Sequence, residues 1–320
     1  MTEVDANRTY GYLGPAGTFA EAALLHWLTE QHSNAKPIAF ASVLSALEAV
    51  HSGEIQGAMV PLENSIEGSV SATLDALASG PELSILAEEQ VDVTFSLLAP
   101  RGVALADVKV VTTHPHAEAQ CRPWLAENLP DAQYTVAPST AAAAAAVAAG
   151  SDEPDAGKHM AAIAAPLAGQ VYGLTELAAN IAGSIAQTRF VLVTRPAPPP
   201  AATGADKTTV VLFMGEDHPG ALLEILSEFA VRGVNLSRIE SRPTGGGLGD
   251  YFFSVDIEGH IDDARVGEAL MGLRRVCAEV RYLGSYPRLD LTPPRLRPGV
   301  SDEEFRDAQA WLTRIRDGRV

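Results

Sequence analysis

Residues 182–204 read AGSIAQTRFVLVTRPAPPPAATG, and a polar pair, Thr188–Arg189, stands at the mouth of the apolar run. A guanidinium can grip a carboxylate through two parallel N–H groups, while a neighbouring hydroxyl donates to a second oxygen. An arginine that starts a strand can equally be a surface residue. The stretch PLENSIEGSV (61–70) sets a carboxyl, an amide and a hydroxyl side by side as Glu63, Asn64 and Ser65. Glu63 reads either as a proton donor, if burial raises its pKa, or as a fixed acceptor that orients a neighbour. His114, followed by proline in TTHPHAEAQC, reads as a turn residue or as a site donor. Thr18 in GPAGTF (14–19) and Ser139 and Thr140 in APSTAA are hydroxyls at helix starts, where they serve as caps or as ligand donors. None of these loops has the GxxxxGK[ST] or GxGxxG spacing of a nucleotide site.

These groups meet only if the elements that carry them converge. Through residues 10–194 short apolar runs alternate with amphipathic helical stretches, beginning with TYGYLG then AEAALLHWLTEQ, and PIAFA then SVLSALEAVHSG. This is the rhythm of a mostly parallel sheet covered by helices. Ligands of such sheets sit beyond the carboxyl ends of the strands, where all the loops above lie. LAEEQVDVTFSLLAP (86–100) is too long and too regularly alternating for one ordinary buried strand and predicts a single long strand crossing between two lobes. TRFVLVTR then supplies the returning strand. The alanine run 141–146, after Ser139 and Thr140, predicts a closely packed helix.

PAPPPAATGAD (196–206) has no side chains able to build a core and reads as a semi-rigid linker. After it a strand, helix, strand, strand, helix, strand order fills about eighty residues, the ferredoxin-like arrangement. SDEEFRDAQAWLTRIRDGRV (301–320) opens with a capping box of Ser301 and Glu304 and predicts a helix docked by Phe305, Trp311, Leu312 and Ile315.

The 320 residues suffice for two domains, and the formal charge of −17 repels nucleic acid and anionic membrane surfaces. No stretch approaches eighteen apolar residues and MTEVDANRTY is not a leader, which predicts a cytoplasmic protein. Cys121 and Cys277 lack a metal or disulfide spacing and read as small buried hydrophobes.

In order along the chain, GYLGPAGTFAEAAL, VPLENSIEGSV, TTHPHAEAQC and QTRF resemble the motifs of the prephenate dehydratase family. GALLEIL and ESRPT resemble the ACT regulatory domain that follows in that family, and the likeness covers about residues 9–287. It implies an α/β protein with a two-lobed catalytic domain like the type 2 periplasmic binding proteins, plus a ferredoxin-like βαββαβ ACT domain. The implied boundaries are 8–195 for the catalytic domain, with lobe 1 at about 8–87 and 187–195 and lobe 2 at about 88–186. The linker is 196–206, the ACT domain 207–287, and 288–320 a tail with a helix.

The implied activity is that of a carbon–oxygen lyase, converting prephenate to phenylpyruvate with loss of water and carbon dioxide, on the way to phenylalanine. Departure of both groups makes the ring aromatic, so no metal or organic cofactor is expected. The resemblance makes Thr188 essential and a candidate donor to the leaving hydroxyl, with Glu63 or His114 as reserve acid. Arg189 would hold a carboxylate, with Thr18, Asn64, Ser65, Ser139 and Thr140 as lining donors. Gln187 stands where family members often have asparagine, and the longer amide leaves its contact open.

In the ACT segment, Gly220, Ala221 and Leu222 at a helix start would meet Asn235, Glu240, Ser241, Arg242 and Pro243 at a subunit interface and enclose phenylalanine as a feedback effector. That arrangement implies at least a dimer through ACT domains, and the family a homotetramer. Arogenate dehydratase, the same elimination on the amino-acid analogue, and a non-enzymatic sensor of amino acids or carboxylates are the competing readings.

Overall fold

The computed structural model describes residues 8–150, 159–215, 218–245 and 250–319. In chain order the elements begin with β1 (Thr9–Leu13), α1 (Phe19–Glu30), β2 (Lys36–Phe40), α2 (Val43–Ser52), β3 (Gly57–Asn64), β4 (Gly68–Ser69), α3 (Ser71–Ser79) and β5 (Ser84–Val93). They continue with β6 (Ser96–Ala99), β7 (Val110–Thr113), α4 (Pro115–Asn128), β8 (Gln133–Val136), α5 (Thr140–Gly150), β9 (Met160–Ala164), α6 (Pro166–Tyr172), β10 (Thr175–Ala178) and β11 (Ala186–Thr194). The last are β12 (Asp206–Phe213), α7 (Ala221–Ala230), β13 (Leu236–Pro243), β14 (Tyr251–Glu258), α8 (Ala264–Val276), β15 (Glu279–Pro287) and α9 (Asp302–Arg316). Two compact units result, one of residues 1–73 and 89–191, the other of 74–88 and 192–320.

The chain up to Thr194 builds two sheets. One has the order β2-β1-β3-β11-β5, with β4 paired to β3 at its end. β1 lies parallel to both β2 and β3. The other sheet runs β10-β6-β9-β7-β8, with β7 parallel to β8 and to β9. Parallel neighbours need helical crossovers, and several of these helices start at a residue that caps them. Thr18 caps α1, Ser42 and Ser45 form a reciprocal capping box on α2, and Ser139 accepts from the Ala142 N–H on α5.

The long strand expected over 86–100 is two strands. β5 ends in the first sheet at Val93 and β6 begins in the second at Ser96, while Phe95 is buried in the second sheet's core with Leu97, Val111 and Ile163. The apolar alternation of Val91, Val93, Phe95 and Leu97 runs on across the break between the two strands, so periodicity could not show the crossing. In the alanine helix α5, Ala143, Ala144 and Val147 pack beside Leu98, Ala162 and Ala164, a closeness that larger side chains would prevent. Cys121 is sealed in the same lobe, where burial pushes its thiol up to about 12.

In the second unit a four-stranded antiparallel sheet runs β13-β14-β12-β15, the ferredoxin-like order, with α7 and α8 supplying Ile225, Phe229, Val266 and Leu273 to its core. The chain ahead of β12 is fastened here: the buried Asp206 carboxylate accepts from Thr203 N–H, Thr203 hydroxyl and Gly204 N–H, and His260 Nε2 lies 2.9 Å from the Pro200 carbonyl oxygen.

The C-terminal helix meets expectation in part. α9 forms with its capping box and packs against α8 with Phe305 and Leu312 half-buried, but Trp311 is 54% exposed and Ile315 is exposed too. Its entry is anchored by buried Val300 beside Gly233 and by Asp302 accepting from the Ala264 N–H, so the apolar stripe is covered only along part of its width.

Candidate active site

The tightest convergence of the sequence candidates lies where β3 ends and β11 begins. Asn64 closes the turn to β4 with its own side chain: Oδ1 accepts from Ile66 N–H at 2.9 Å and from Glu67 N–H at 3.0 Å. Two backbone donors on the oxygen fix which end of the amide is which, so Nδ2 faces Thr188 and donates to its Oγ1 at 2.8 Å. The Thr188 hydroxyl has therefore accepted a bond and keeps its proton, for which no protein acceptor is present among the described residues. Thr188 is 8% exposed. Ser65 closes the same seam from the backbone: its N–H donates to the Gln187 carbonyl at 2.8 Å and its hydroxyl accepts from Gln187 N–H at 2.9 Å.

Neighbours on a strand project to opposite faces. Thr188 turns to Asn64, whereas Arg189 lies on the side of Glu63, with 4.0 Å between Nη1 and Oε2. The pair therefore does not form one clamp. The Glu63 side chain is 41% exposed beside that guanidinium, the setting of an ion-pair partner; the desolvation a general acid needs is missing. The Gln187 amide is occupied as well, donating to Asp92 on β5 at 2.9 Å.

Thr18 is committed to its own helix. Its hydroxyl donates to the Leu13 carbonyl at 3.0 Å and accepts from Glu21 N–H at 3.3 Å, so neither its proton nor that lone pair is turned to a ligand. Glu21, which sequence reading passed over, is buried; its carboxylate accepts from the Tyr12 hydroxyl and from Gly17 N–H. Burial and that carboxylate push the Tyr12 phenol above its ordinary range, so it stays a donor.

From the second sheet, α4, α5 and α6 start at the carboxyl ends of the parallel strands β7, β8 and β9. His114 caps α4, its Nδ1 accepting from His116 N–H at 3.3 Å, and Ser139 caps α5. The Thr140 hydroxyl has no partner among the described residues. Two contacts join these helices to the first sheet's loops. Tyr172 at the end of α6 donates to the Ala16 carbonyl at 2.8 Å, and His116 Nδ1 stands 2.7 Å from Glu67 Oε1. Gly17, at φ +82°, lies so close to α6 that a Cβ there would come 2.8 Å from the Ala168 Cα. The two sets of loops therefore face each other, with Thr188 and Asn64 on one side and the helix starts of His114 and Ser139 on the other. Glu67, His116 and Tyr172 carried no sequence signal because each partner lies on a different lobe.

The second unit has a separate concavity of about 170 Å³, lined by Met214, Gly215, His218, Ala221, Glu224, Ile225 and Val276. Gly220 caps α7 in the left-handed region at φ +100°, leaving first-turn N–H groups beside it. Ala221 is the one expected effector residue in the lining; Leu222 is half exposed, and Asn235, Glu240, Ser241, Arg242 and Pro243 are not part of it. Arg242 is held elsewhere, with Nε and Nη2 donating to the Asp75 carboxylate at 2.7 and 2.8 Å.

Residues 10–198 match the family model described as prephenate dehydratase, and 209–275 match that of the ACT domain. A prephenate dehydratase of Mycobacteroides abscessus is 49% identical over 314 residues, covering 97% of this chain and 98% of the relative. The crystal structure of prephenate dehydratase in complex with L-Phe from Arthrobacter aurescens is 50% identical with a TM-score of 0.86, covering 97% of this chain and 99% of that one. GqqA, described as a novel type of quorum quenching acylase, is 30% identical with a TM-score of 0.78 over 88% of this chain and 98% of its own.

Proposed function

The chain belongs to the prephenate dehydratase family, and from that premise we propose that Thr188, oriented by Asn64, is the donor to the hydroxyl that prephenate expels. The reaction is the decarboxylating dehydration of prephenate to phenylpyruvate, a lyase reaction of phenylalanine biosynthesis. The bond from the ring to the carboxylate breaks and its electrons enter the ring, carbon dioxide leaves, and the ring C–O bond breaks toward oxygen. Hydroxide departs and takes a proton to become water. A donor placed at that oxygen stabilises the charge where it develops, which is where a hydrogen bond accelerates most.

The observation that carries the assignment is the Asn64 bond. By occupying a lone pair of Oγ1 it leaves Thr188 its proton to give. An alkyl hydroxyl is a poor free acid, so Thr188 acts as a hydrogen-bond donor, and the proton that completes water comes through solvent or His114. Arg189 is the cation for a substrate carboxylate, and the helix starts of Ser139 and Thr140 present N–H groups to an anion from the facing lobe. Thr188→Ala is expected to lower kcat about 10²–10³-fold with KM changed only a few-fold, and Thr188→Ser to retain much of the activity. Unchanged turnover in Thr188→Ala would overturn the assignment. Arg189→Ala should instead raise KM, read in the same assay of phenylpyruvate absorbance, run against arogenate in parallel.

The ACT domain is the seat of feedback by phenylalanine. The concavity at Ala221 is the half-site for it: the α7 N–H groups suit its carboxylate, and Met214, Ile225 and Val276 suit its ring. Because residues 240–243 do not line it, a second copy of the chain would complete the site, which makes the ACT domains a dimer contact. Light scattering with and without phenylalanine measures this, and a monomer at saturating phenylalanine would refute it.

A further inference from the structure

Helix α3 is held by different partners at its two ends. At its start Val70 N–H donates to the Leu62 carbonyl at 2.8 Å, and the buried Thr73 hydroxyl donates to the Pro61 carbonyl at 2.6 Å. Pro61 and Leu62 lead directly into Glu63 and Asn64, so this end is fastened to the strand that orients Thr188. Further along, the Asp75 carboxylate receives both Nε and Nη2 of Arg242, at 2.7 and 2.8 Å. Arg281 Nη1 donates to the carbonyls of Leu77 and Gly80, at 3.2 and 2.8 Å, where α3 runs out of its own donors. Leu74, Leu77 and Ala78 are buried, so one face of the helix is packed along its length.

Arg242 and Arg281 sit on the two edge strands of the regulatory sheet, β13 and β15. A nine-residue helix is a rod of about 13 Å, stiff enough to carry a displacement from one end to the other. Its front end bears on the Asn64 turn and its rear end on two regulatory arginines. Arg242 also belongs to the segment 240–243 assigned above to phenylalanine, so occupancy of that segment and the grip on Asp75 act on one strand.

We infer that Asp75 is the positioning residue that links the regulatory sheet to catalysis: when phenylalanine shifts β13, the Arg242–Asp75 bond passes that shift to α3, and α3 passes it to the Asn64 turn and hence to the aim of the Thr188 hydroxyl. The inference rests on phenylalanine acting at the ACT domain. Coupling between two sites is a free energy that both ligands share, so cutting the link abolishes inhibition while leaving each ligand able to bind. A side chain that served only the effector site would lose binding and inhibition together.

The test uses the full-length protein with Asp75→Asn, Asp75→Glu and Arg281→Gln, measuring basal kcat/KM, the phenylalanine Kd by titration calorimetry, and residual activity at saturating phenylalanine. For Asp75→Asn the expectation is basal activity within about twofold, Kd within about threefold, and a loss of most of the inhibition, against typical couplings of about 5- to 150-fold. Asp75→Glu, which keeps the charge for Arg242, should restore part of it. Arg281→Gln releases the other grip and carries the same expectation if Asp75→Asn does not fold. Inhibition of a folded Asp75→Asn protein equal to wild type overturns the inference, as does a loss of Kd in step with inhibition. A wild-type protein indifferent to phenylalanine would overturn the feedback reading itself, and that outcome is seen before any variant is compared.

Discussion

The two lobes of the catalytic region hold their polar groups in different ways. In the first, the bonds that fix the site span the sequence: Asn64 with Thr188 and Ser65 with Gln187 join residues 124 and 122 positions apart. In the second, His114 and Ser139 are fixed by backbone groups two and three residues away. A group held by distant partners has its geometry only when the whole lobe is folded, and a group held by its own helix keeps its geometry wherever that helix goes. The first lobe can therefore carry the step that tolerates no misplacement, and the second can move as a body to meet the substrate.

Changing Asn64 tests the first half of this contrast with the largest effect. Asn64→Asp keeps the shape and the acceptor for Ile66 and Glu67 but turns the group facing Thr188 from donor to acceptor, which draws the Thr188 proton away from the substrate. The expected loss is about a hundredfold in kcat with little change in KM, as for misdirecting one catalytic proton donor. A kcat equal to wild type would show that the orientation of Thr188 is immaterial. A smaller effect is expected from Tyr172→Phe, which removes the hydroxyl that reaches Ala16 from the facing lobe. One hydrogen bond of about 0.5–1.5 kcal/mol corresponds to a KM increase of about two- to tenfold at nearly constant kcat. A fall in kcat without a change in KM would contradict a lobe that serves only to close.

How much of this was legible follows the same divide. The ferredoxin-like order of the regulatory sheet and the caps at Ser139 and Ser301 were readable because strand period, helix period and cap are local signals. Thr188 and Asn64 could be marked as chemistry-bearing, since a hydroxyl at a strand mouth and an amide before a helix stand out by type. Their bond could not be read, because nothing in either segment names a partner more than a hundred residues away. The strand period did contain the warning that Thr188 and Arg189 face opposite ways, but it decides nothing until the strand's neighbours are known. Thr18 shows the opposite limit: its hydroxyl is engaged locally, with the Leu13 carbonyl and the Glu21 N–H. Glu21 drew no notice in the sequence, and only the packed structure shows it buried, accepting from Tyr12 and Gly17. The stripe on α9 was readable as amphipathic, but what an apolar stripe packs against is a tertiary fact.

The smallest effect expected probes whether the second lobe's order is local in energy as well as in bonding. On α4, Arg122 donates Nε and Nη2 to Glu118, at 3.0 and 2.7 Å, one turn apart. These bonds hold the Glu118 carboxyl below the usual carboxylate range, outweighing the opposing effect of partial burial. A carboxyl whose pKa is depressed by folding stabilises the folded state above its unfolded pKa, near 4.5, and that contribution disappears as pH falls through the folded value. Glu118→Gln should therefore lower the urea midpoint slightly at pH 7, within the modest range of exposed helix pairs, and the difference should shrink as pH falls through the depressed folded pKa. Because the pair lies within one helix, kcat and KM should both stay at wild-type values. A change in kcat from this substitution would mean that α4 does not travel as an independent body and that the contrast between the lobes fails at its His114 end.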